Sequence, residues 1–580
     1  MSDATPSSNP RLPFRRCAFD TTPEALDYAA QGECGLNFYS ARGELVERLA
    51  YRELREHAIA LARRFVRAGL KPGARVAILA DSNGDFMRVF FGAQYAGLVP
   101  TPLPLPQSFG GRDAYIDQVR RQIAGADADV AFAPAELLTY LEEACAGRAM
   151  TFVGDAAALD ALPEGGADLP APDANGLCYL QYSSGSTRFP LGVAMTHRAV
   201  LHNIRAIADH GLVIEAGDRC TSWLPLYHDM GLVGFVLTPV GCQMSVDYIA
   251  TRDFARRPLL WLSLVTRNGG TLSFSPTFGY ELCARRAETA STDGLDLRTW
   301  RGAGIGGDMI RPRVLNRFIE AFGPRGFRPG AFVPSYGMAE TGLAISFNPL
   351  GQGMRTDRVD LDAMATDAIA RPPAAGTAAG RARDFVVCGV PMPGHAIEVR
   401  DEDGRALGER RIGRIYTQGA SMMSCYFNAP EETRRVLGPD GWLDTGDLGY
   451  WLDGQIVVTG RVKDLILVNG RNIWPQDLEW AAEHVPAVRS GDAAAFSVDH
   501  ADGERVVVLV QCRSADPAVR ADLVRDVAGA VNEIVGIDCA VVLVPPRSLP
   551  QTSSGKLSRS KAKARYLAGD FDPTANSLTS

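Results

Sequence analysis

Five stretches of the chain set polar side chains and glycines at spacings suited to a phosphorylated substrate. Tyr179 to His197 (YLQYSSGSTRFPLGVAMTH) runs from an apolar strand into Ser183-Ser184-Gly185-Ser186-Thr187, then Gly192 and a second strand, Val193-Ala194-Met195. Hydroxyls and exposed backbone N–H groups after a strand can donate several hydrogen bonds to phosphate oxygens. No G-K-[ST] follows, so this is not the Walker pattern, and a Ser/Gly-rich hairpin turn has the same composition. Trp223 to Gly234 (WLPLYHDMGLVG) places Tyr227, His228 and Asp229 before a glycine run; alone, such a histidine reads as structural. Ser335 to Gly342 (SYGMAETG) offers a ring that can stack on a base and a carboxylate that can ligate Mg²⁺ beside phosphates; a bare helix N-terminus would look similar. Asp444 to Asp447 (DTGD) holds a carboxylate able to accept two hydroxyls, or is a β-turn. Leu549 to Lys556 (LPQTSSGK) ends in a lysine that alone reads as solvated surface.

The elements that must position these stretches alternate short apolar runs with helix-like ones, the pattern of an α/β protein. In Tyr51 to Leu70 the residues Leu54, Ala58, Leu61, Phe65 and Leu70 recur near helical spacing, and Lys71-Pro72-Gly73 ends the run. Arg75 to Leu79 reads as a buried strand, Gly84 onward as a helix, and Val99 to Pro106 (VPTPLPLP) as a proline-rich extended crossover. Gly165 to Gly176 reads as a connection between lobes and Ile369 to Arg383 as a mobile surface loop. After Gly460 the texture becomes that of a small α+β unit. Strand-like runs at Asp464 to Val468, Val506 to Val510 and Cys539 to Val544 accompany a helix-like Ala521 to Val535. Phe571 to Ser580 reads as a frayed tail, and Met1 to Cys17 as a loose polar leader without a secretory core.

Composition narrows the function classes. The 580 residues are 46% hydrophobic, which excludes wholesale disorder and allows roughly three to five compact units or fewer large ones. No apolar run reaches the ~18 residues of a membrane span, and Gly231 to Gly241, the nearest, contains a proline. A net charge of −7 argues against a general nucleic-acid binder. The 11 cysteines form no C-x-x-C pair, so each reads as a small buried hydrophobe in a reducing cytoplasm.

Taken in order, the five stretches resemble the signatures of the adenylate-forming enzymes over nearly the whole chain. Pro225 to Gly234 (PLYHDMGLVG) is especially similar to the fatty acyl-AMP ligases. Such enzymes use ATP and Mg²⁺ to convert a carboxylate to an acyl-adenylate and pyrophosphate. The resemblance implies an α/β fold: a large multi-lobed N-terminal adenylation domain (1–462) and a small mobile α+β C-terminal domain (463–580). It implies that Ser183, Ser184, Gly185, Ser186, Thr187 and Thr341 contact phosphate. Gly307 and Asp308 would lie along adenine, Tyr336 and Gly337 beside it, and Asp447 and Arg461 on the ribose. Glu340 would coordinate Mg²⁺, His228 would face the carboxylate, and Lys556 would bridge that carboxylate and the α-phosphoryl group. Met230, Gly231, Phe235, Phe278 and Met338 are implied for the acyl pocket, and Lys463 or Asp464 for the hinge. Arg188, Leu191 and Thr277 depart from the family, which usually has Gly and Lys at the first two positions; at the third the ligases commonly have Asn.

The family divides at the acceptor. Acyl-CoA synthetases pass the acyl group to coenzyme A. Fatty acyl-AMP ligases pass it to the phosphopantetheine of an acyl carrier protein, often on a polyketide or peptide synthase. The stretch from Glu340 to Cys388 is longer than the synthetases carry, with the excess at about Met354 to Arg383, and resembles the ligases' insertion. Cys388 to Gly394 (CGVPMPG) and Asn469 to Asp477 (NGRNIWPQD) also resemble the ligases. The resemblance therefore implies a fatty acid and a carrier protein as partners, with a synthetase or a catalytically impaired acyl-binding homologue as alternatives. Arg547 to Arg565 holds six basic residues and no acidic one; it is either a patch that steers an acidic carrier protein or a solvated helix face.

Overall fold

The computed structural model describes residues 4–9, 12–106, 111–166, 168–183, 190–377, 381–468, 471–500, 503–552 and 556–571. Short apolar runs at its centre form a nine-stranded sheet. Phe332–Gly337, Gly302–Ile305, Leu272–Ser275, Arg219–Ser222, Ser245–Ile249 and Gly35–Tyr39 lie parallel in it. Their residues are almost all buried, as expected where helices cover both faces of a parallel sheet. Leu45–Ala50 closes one edge antiparallel, and Ala344–Phe347 and Val390–Pro391 the other. A second, all-parallel sheet orders Val99–Leu103, Arg75–Leu79, Val130–Phe132 and Phe152–Gly154. An antiparallel sheet of His395–Arg400, Gly413–Gly419, Leu443–Leu452 and Gln455–Arg461 follows. Beyond it, Ala493–His500, Gly503–Gln511 and Ala540–Val544 pack with helices Pro475–Ala482 and Pro517–Val535 around a separate core that includes Leu478, Val508 and Val527. This is the α/β architecture that the resemblance implies. Among the described residues, no helix is long and apolar enough to cross a membrane. All eleven cysteines are free, and nine are buried.

The helices at Tyr51–Arg67 and Gly84–Tyr95 and the strand Arg75–Leu79 form where their spacing predicts. Several expectations need correction. Val99–Leu103 is a buried parallel strand rather than a crossover, paired with Arg75–Leu79. Val99 N–H and Leu103 C=O face that partner, so Pro100 and Pro102, one residue out of phase, put their missing donors on the edge that no strand of this sheet pairs. The described residues of the N-terminal segment, 4–9 and 12–17, are not loose. The bidentate Arg219–Asp247 pair is fully buried, and Arg219 also donates to the Thr5 carbonyl at 2.6 Å, while Thr5 N–H donates to Asn37 Oδ1. A buried guanidinium needs such acceptors, and the chain end supplies one. The Ile369 to Arg383 stretch is loop through Thr377, 378–380 lie outside the described residues, and a strand starts at Ala382. Thr356–Asp360 and Ala382–Val386 pair antiparallel, and Asp360 caps the helix Leu361–Asp367. At the far end Phe571 is buried against the last core, and the rest of the expected frayed tail, 572–580, lies outside the described residues. The strand expected from Asp464 begins at Ile466, because Val462–Asp464 closes a 3₁₀ turn first.

Candidate active site

The strand Phe332–Gly337 ends at a cleft, and its Tyr336 sets the nearest wall. The phenol donates to Asp447 Oδ2 at 2.8 Å. Asp447 stands on Leu443–Leu452 directly across from Arg461 on Gln455–Arg461, and Arg461 Nε lies 3.2 Å from Asp447 Oδ1. Asp447 raises the Arg461 pKa against the opposing effect of burial. Both carboxylate oxygens are thus engaged, and each keeps a second lone pair for a hydroxyl donor. Gly337 has no room for a side chain, since a Cβ there would fall 1.8 Å from the Leu343 carbonyl oxygen.

The next turn, Ala339–Thr341, carries Glu340, whose Oε1 accepts from the Tyr426 phenol at 2.7 Å. Burial raises the Glu340 pKa, and the Tyr426 bond opposes that rise. Among the described residues no group of three or more His, Cys, Asp or Glu could cage a metal. A single buried carboxylate at the cleft wall fits a Mg²⁺ that takes its remaining ligands from nucleotide phosphates and water. Thr341 is behind this wall: it is fully buried and its hydroxyl donates to Met338 O, because the tight turn folds it back on itself.

His228 lines the same cleft, and its Nδ1 sits 2.6 Å from Asp229 Oδ1. Burial raises the Asp229 pKa, but the His228 charge and hydrogen bond, with Lys556, hold it below the ordinary value. Lys556 enters from the C-terminal unit on a loop closed by the Gln551–Leu557 bridge and by Thr552 N–H to Lys556 O at 2.7 Å. Burial lowers the Lys556 pKa against Asp308, with Arg461 adding to the depression. Gly307 makes room for it: its φ is +74°, and a Cβ there would lie 3.1 Å from Met230 Cε and 3.6 Å from Lys556 Nζ. Ser183, Asp308, Lys463 and Asp464 also line the cleft. Ser184, Gly185, Ser186, Thr187 and Arg188 lie outside the described residues.

An apolar pocket opens from the cleft at Met230, Gly307 and Tyr336. Met230 and Phe235 line it, whereas Phe278 and Met338 line the wider cleft, and Gly231 packs against the Pro225 carbonyl. Its other walls include Leu212, Phe274, Leu343 and Phe347 and two π-helical turns, Ile207–Gly211 and Val233–Leu237. Side chains take up carbonyls in the second turn: Thr238 donates to Val233 O and Tyr248 to Phe235 O.

The insertion-like segment is tied to the C-terminal unit. Arg383 Nη1 donates to Asp477 Oδ1 at 2.7 Å, both side chains being over nine-tenths buried. The same guanidinium lies 4.2 Å from the Trp480 ring centre and 4.3 Å from that of Phe385. Asp362 accepts from Arg381 and from Arg471. Arg559, expected in the basic patch, instead holds Glu479 and Asp464 at 2.7 and 2.9 Å.

Residues 28–427 match the model of the AMP-binding enzyme family. A Caulobacter vibrioides protein that carries an acyl-CoA synthetase name is 52% identical over 98% of both chains. The medium-chain-fatty-acid–[acyl-carrier-protein] ligase JamA of Moorena producens is 31% identical over 96% of both. A solved structure from work on fatty acyl-adenylate ligases of E. coli and L. pneumophila superposes with a TM-score of 0.91. It is 44% identical and covers 96% of this chain and 100% of its own.

Proposed function

The chain belongs to the AMP-binding enzyme family, and from that premise we propose that it joins a fatty acid to AMP and passes the acyl group to a carrier-protein thiol. The observation that carries this reading is the apolar pocket whose mouth meets Lys556, His228 and the Tyr336–Asp447–Arg461 cluster. A fatty acid seated with its tail in that pocket puts its carboxylate at the cleft. The carboxylate oxygen attacks the α-phosphorus of ATP, the bond to the β-phosphoryl oxygen breaks, and pyrophosphate leaves. Lys556 stabilises the negative charge that spreads over the phosphoryl oxygens, and His228, oriented by Asp229, faces the carboxylate. Tyr336 supports the base, Asp447 and Arg461 take the ribose, and Glu340 would hold Mg²⁺, which neutralises phosphate charge when bound. In the second half-reaction a phosphopantetheine thiol, losing its proton, attacks the acyl carbonyl and AMP departs.

The acceptor assignment rests on the segment 354–383. Its Arg383 grips Asp477 and so opposes rotation of a C-terminal lid, residues 463–580, about the pivot we place at Lys463 and Asp464. The name of the Caulobacter relative favours a second reading, transfer to coenzyme A. ATP–pyrophosphate exchange over a fatty-acid panel, then product mass spectrometry with coenzyme A or with a phosphopantetheinylated carrier protein, separates the two. Acyl-carrier product with little acyl-CoA is expected. Rapid acyl-CoA formation overturns the acceptor assignment, and no exchange at any chain length overturns the enzyme reading.

A further inference from the structure

Tyr426 lies outside every motif described above, yet it joins two parts of the candidate site. The two-residue strand Cys425–Tyr426 pairs antiparallel with Gly192–Thr196, the strand that follows the serine–glycine stretch, with Tyr426 opposite Val193. Ser424 N–H donates to Ala194 O at 2.9 Å and Phe427 N–H to Gly192 O at 2.8 Å, so the pairing continues on both sides. One residue upstream, Met423 N–H donates to Glu340 O at 2.8 Å. The segment from Met423 to Phe427 is therefore bonded through its backbone both to that strand and to the turn that carries Glu340. The Tyr426 phenol closes the connection at the side-chain level by donating to Glu340 Oε1 at 2.7 Å. The ring is buried, and Tyr426 N–H is itself held by Thr433 Oγ1 at 2.9 Å. A glutamate on a one-turn 3₁₀ segment has several rotamers, and this charge-assisted bond, the stronger of two with the one from Glu340's own backbone N–H, selects one of them.

We propose that Tyr426 is a positioning residue for divalent-cation binding: its phenol fixes one oxygen of Glu340 in register with the strand Gly192–Thr196, so that the carboxylate and the nucleotide phosphates meet one cation together. The proposal rests on the adenylate-forming reading. Tyr426→Phe keeps the ring and removes only the hydroxyl. The test measures Mn²⁺ affinity of the full chain by electron paramagnetic resonance, with a non-hydrolysable ATP analogue present. Metal-free binding of the analogue and the melting temperature are measured in parallel. In Y426F the Mn²⁺ dissociation constant rises about tenfold, the fold-change of one lost charge-assisted hydrogen bond, while metal-free binding of the analogue stays at the wild-type value and the melting temperature falls by no more than a few degrees. In the exchange assay the Mg²⁺ concentration for half-maximal rate rises and the saturating rate is retained. Glu340→Gln weakens Mn²⁺ at least as much, and the double variant is no weaker than E340Q, since the phenol acts through that carboxylate. An unchanged Mn²⁺ affinity in Y426F overturns the proposal. So does a parallel loss of metal-free analogue binding, or a double variant whose defect is the product of the single ones. A wild-type chain that binds no analogue with or without metal overturns the adenylate-forming reading itself, and this proposal with it.

Discussion

Replacing Arg383 by leucine tests whether the segment 354–383 holds the C-terminal unit over the cleft. Arg383 and Asp477 are 5% and 8% exposed and 2.7 Å apart, so solvent screens their attraction little. Removing one partner of such a pair costs about 3–5 kcal/mol, and the lost contacts to Phe385 and Trp480 add about 1 kcal/mol. Two features reduce that sum. Arg383 Nε and Nη2 have no hydrogen-bond partner among the described residues, so their desolvation already opposes the contact. Burial also raises the Asp477 pKa while Arg383 opposes the rise, so without Arg383 the carboxyl escapes by taking up a proton. A net cost of about 3 kcal/mol leaves about 10²-fold less of the arrangement that puts Lys556 in the cleft. ATP–pyrophosphate exchange by R383L should fall by up to that factor. The sign with pH follows from Asp477. Its raised pKa means the penalty is full when the carboxyl is ionised and is relieved as pH falls through that pKa, so the R383L deficit should shrink toward acid. R383L/D477L leaves no charge unpaired and should recover exchange to within a few-fold of wild type, because an apolar pair of similar volume is near neutral in such a place. Wild-type exchange in R383L, or a double variant as impaired as R383L, refutes the reasoning.

Lys556→Ala should lower exchange by about 10²–10³-fold with an unchanged melting temperature, because one cation facing the transition state is removed. Burial depresses the Lys556 pKa, so the alkaline limb of the wild-type exchange profile should lie below the ordinary lysine range and move upward in K556R; coincident limbs contradict this. Gly234 lines the apolar pocket, and a Cβ there would face Leu343 at 3.5 Å, so Gly234→Leu should shift the fatty-acid profile to shorter chains; an unshifted profile removes the pocket assignment. Arg559→Glu should lower the melting temperature sharply, since it sets a third carboxylate beside Glu479 and Asp464. Lys561 is exposed and Lys563 half-buried on the same helix. Their reversal to glutamate should spare exchange and slow transfer to an acidic carrier protein several-fold at low salt; equal loss of both steps discounts the patch.

Local pattern carried much of this molecule. The helix Tyr51–Arg67 and the strand Arg75–Leu79 follow from apolar spacing alone. Tyr336, Glu340 and Arg461 stand out because each sits at a strand end or turn within a few residues of glycines, and Asp447 because it follows Gly446. Where the reading failed, the cause was distant. Val99–Leu103 looked like a crossover because two prolines argue against a strand, and only its edge position makes them harmless. The N-terminal segment looked loose because the buried guanidinium that needs the Thr5 carbonyl is more than two hundred positions away. Arg559 looked like surface charge because its two carboxylate partners lie 80 and 95 positions upstream.

By itself the sequence determined the α/β class, the order of the chemistry-bearing stretches and the residue types they bring, because strand, turn and glycine patterns act over a few neighbouring residues. Only the tertiary structure decided which of those side chains face one another. Tyr336 reaches Asp447 across 111 positions, Tyr426 reaches Glu340 across 86, and Thr341 turns away from the wall its neighbour lines. The apolar pocket likewise draws on two π-helical turns and separate strands that no local spacing connects. Such pairings are set by how buried surfaces pack and which buried polar groups must be satisfied, and that balance is struck over the whole chain at once.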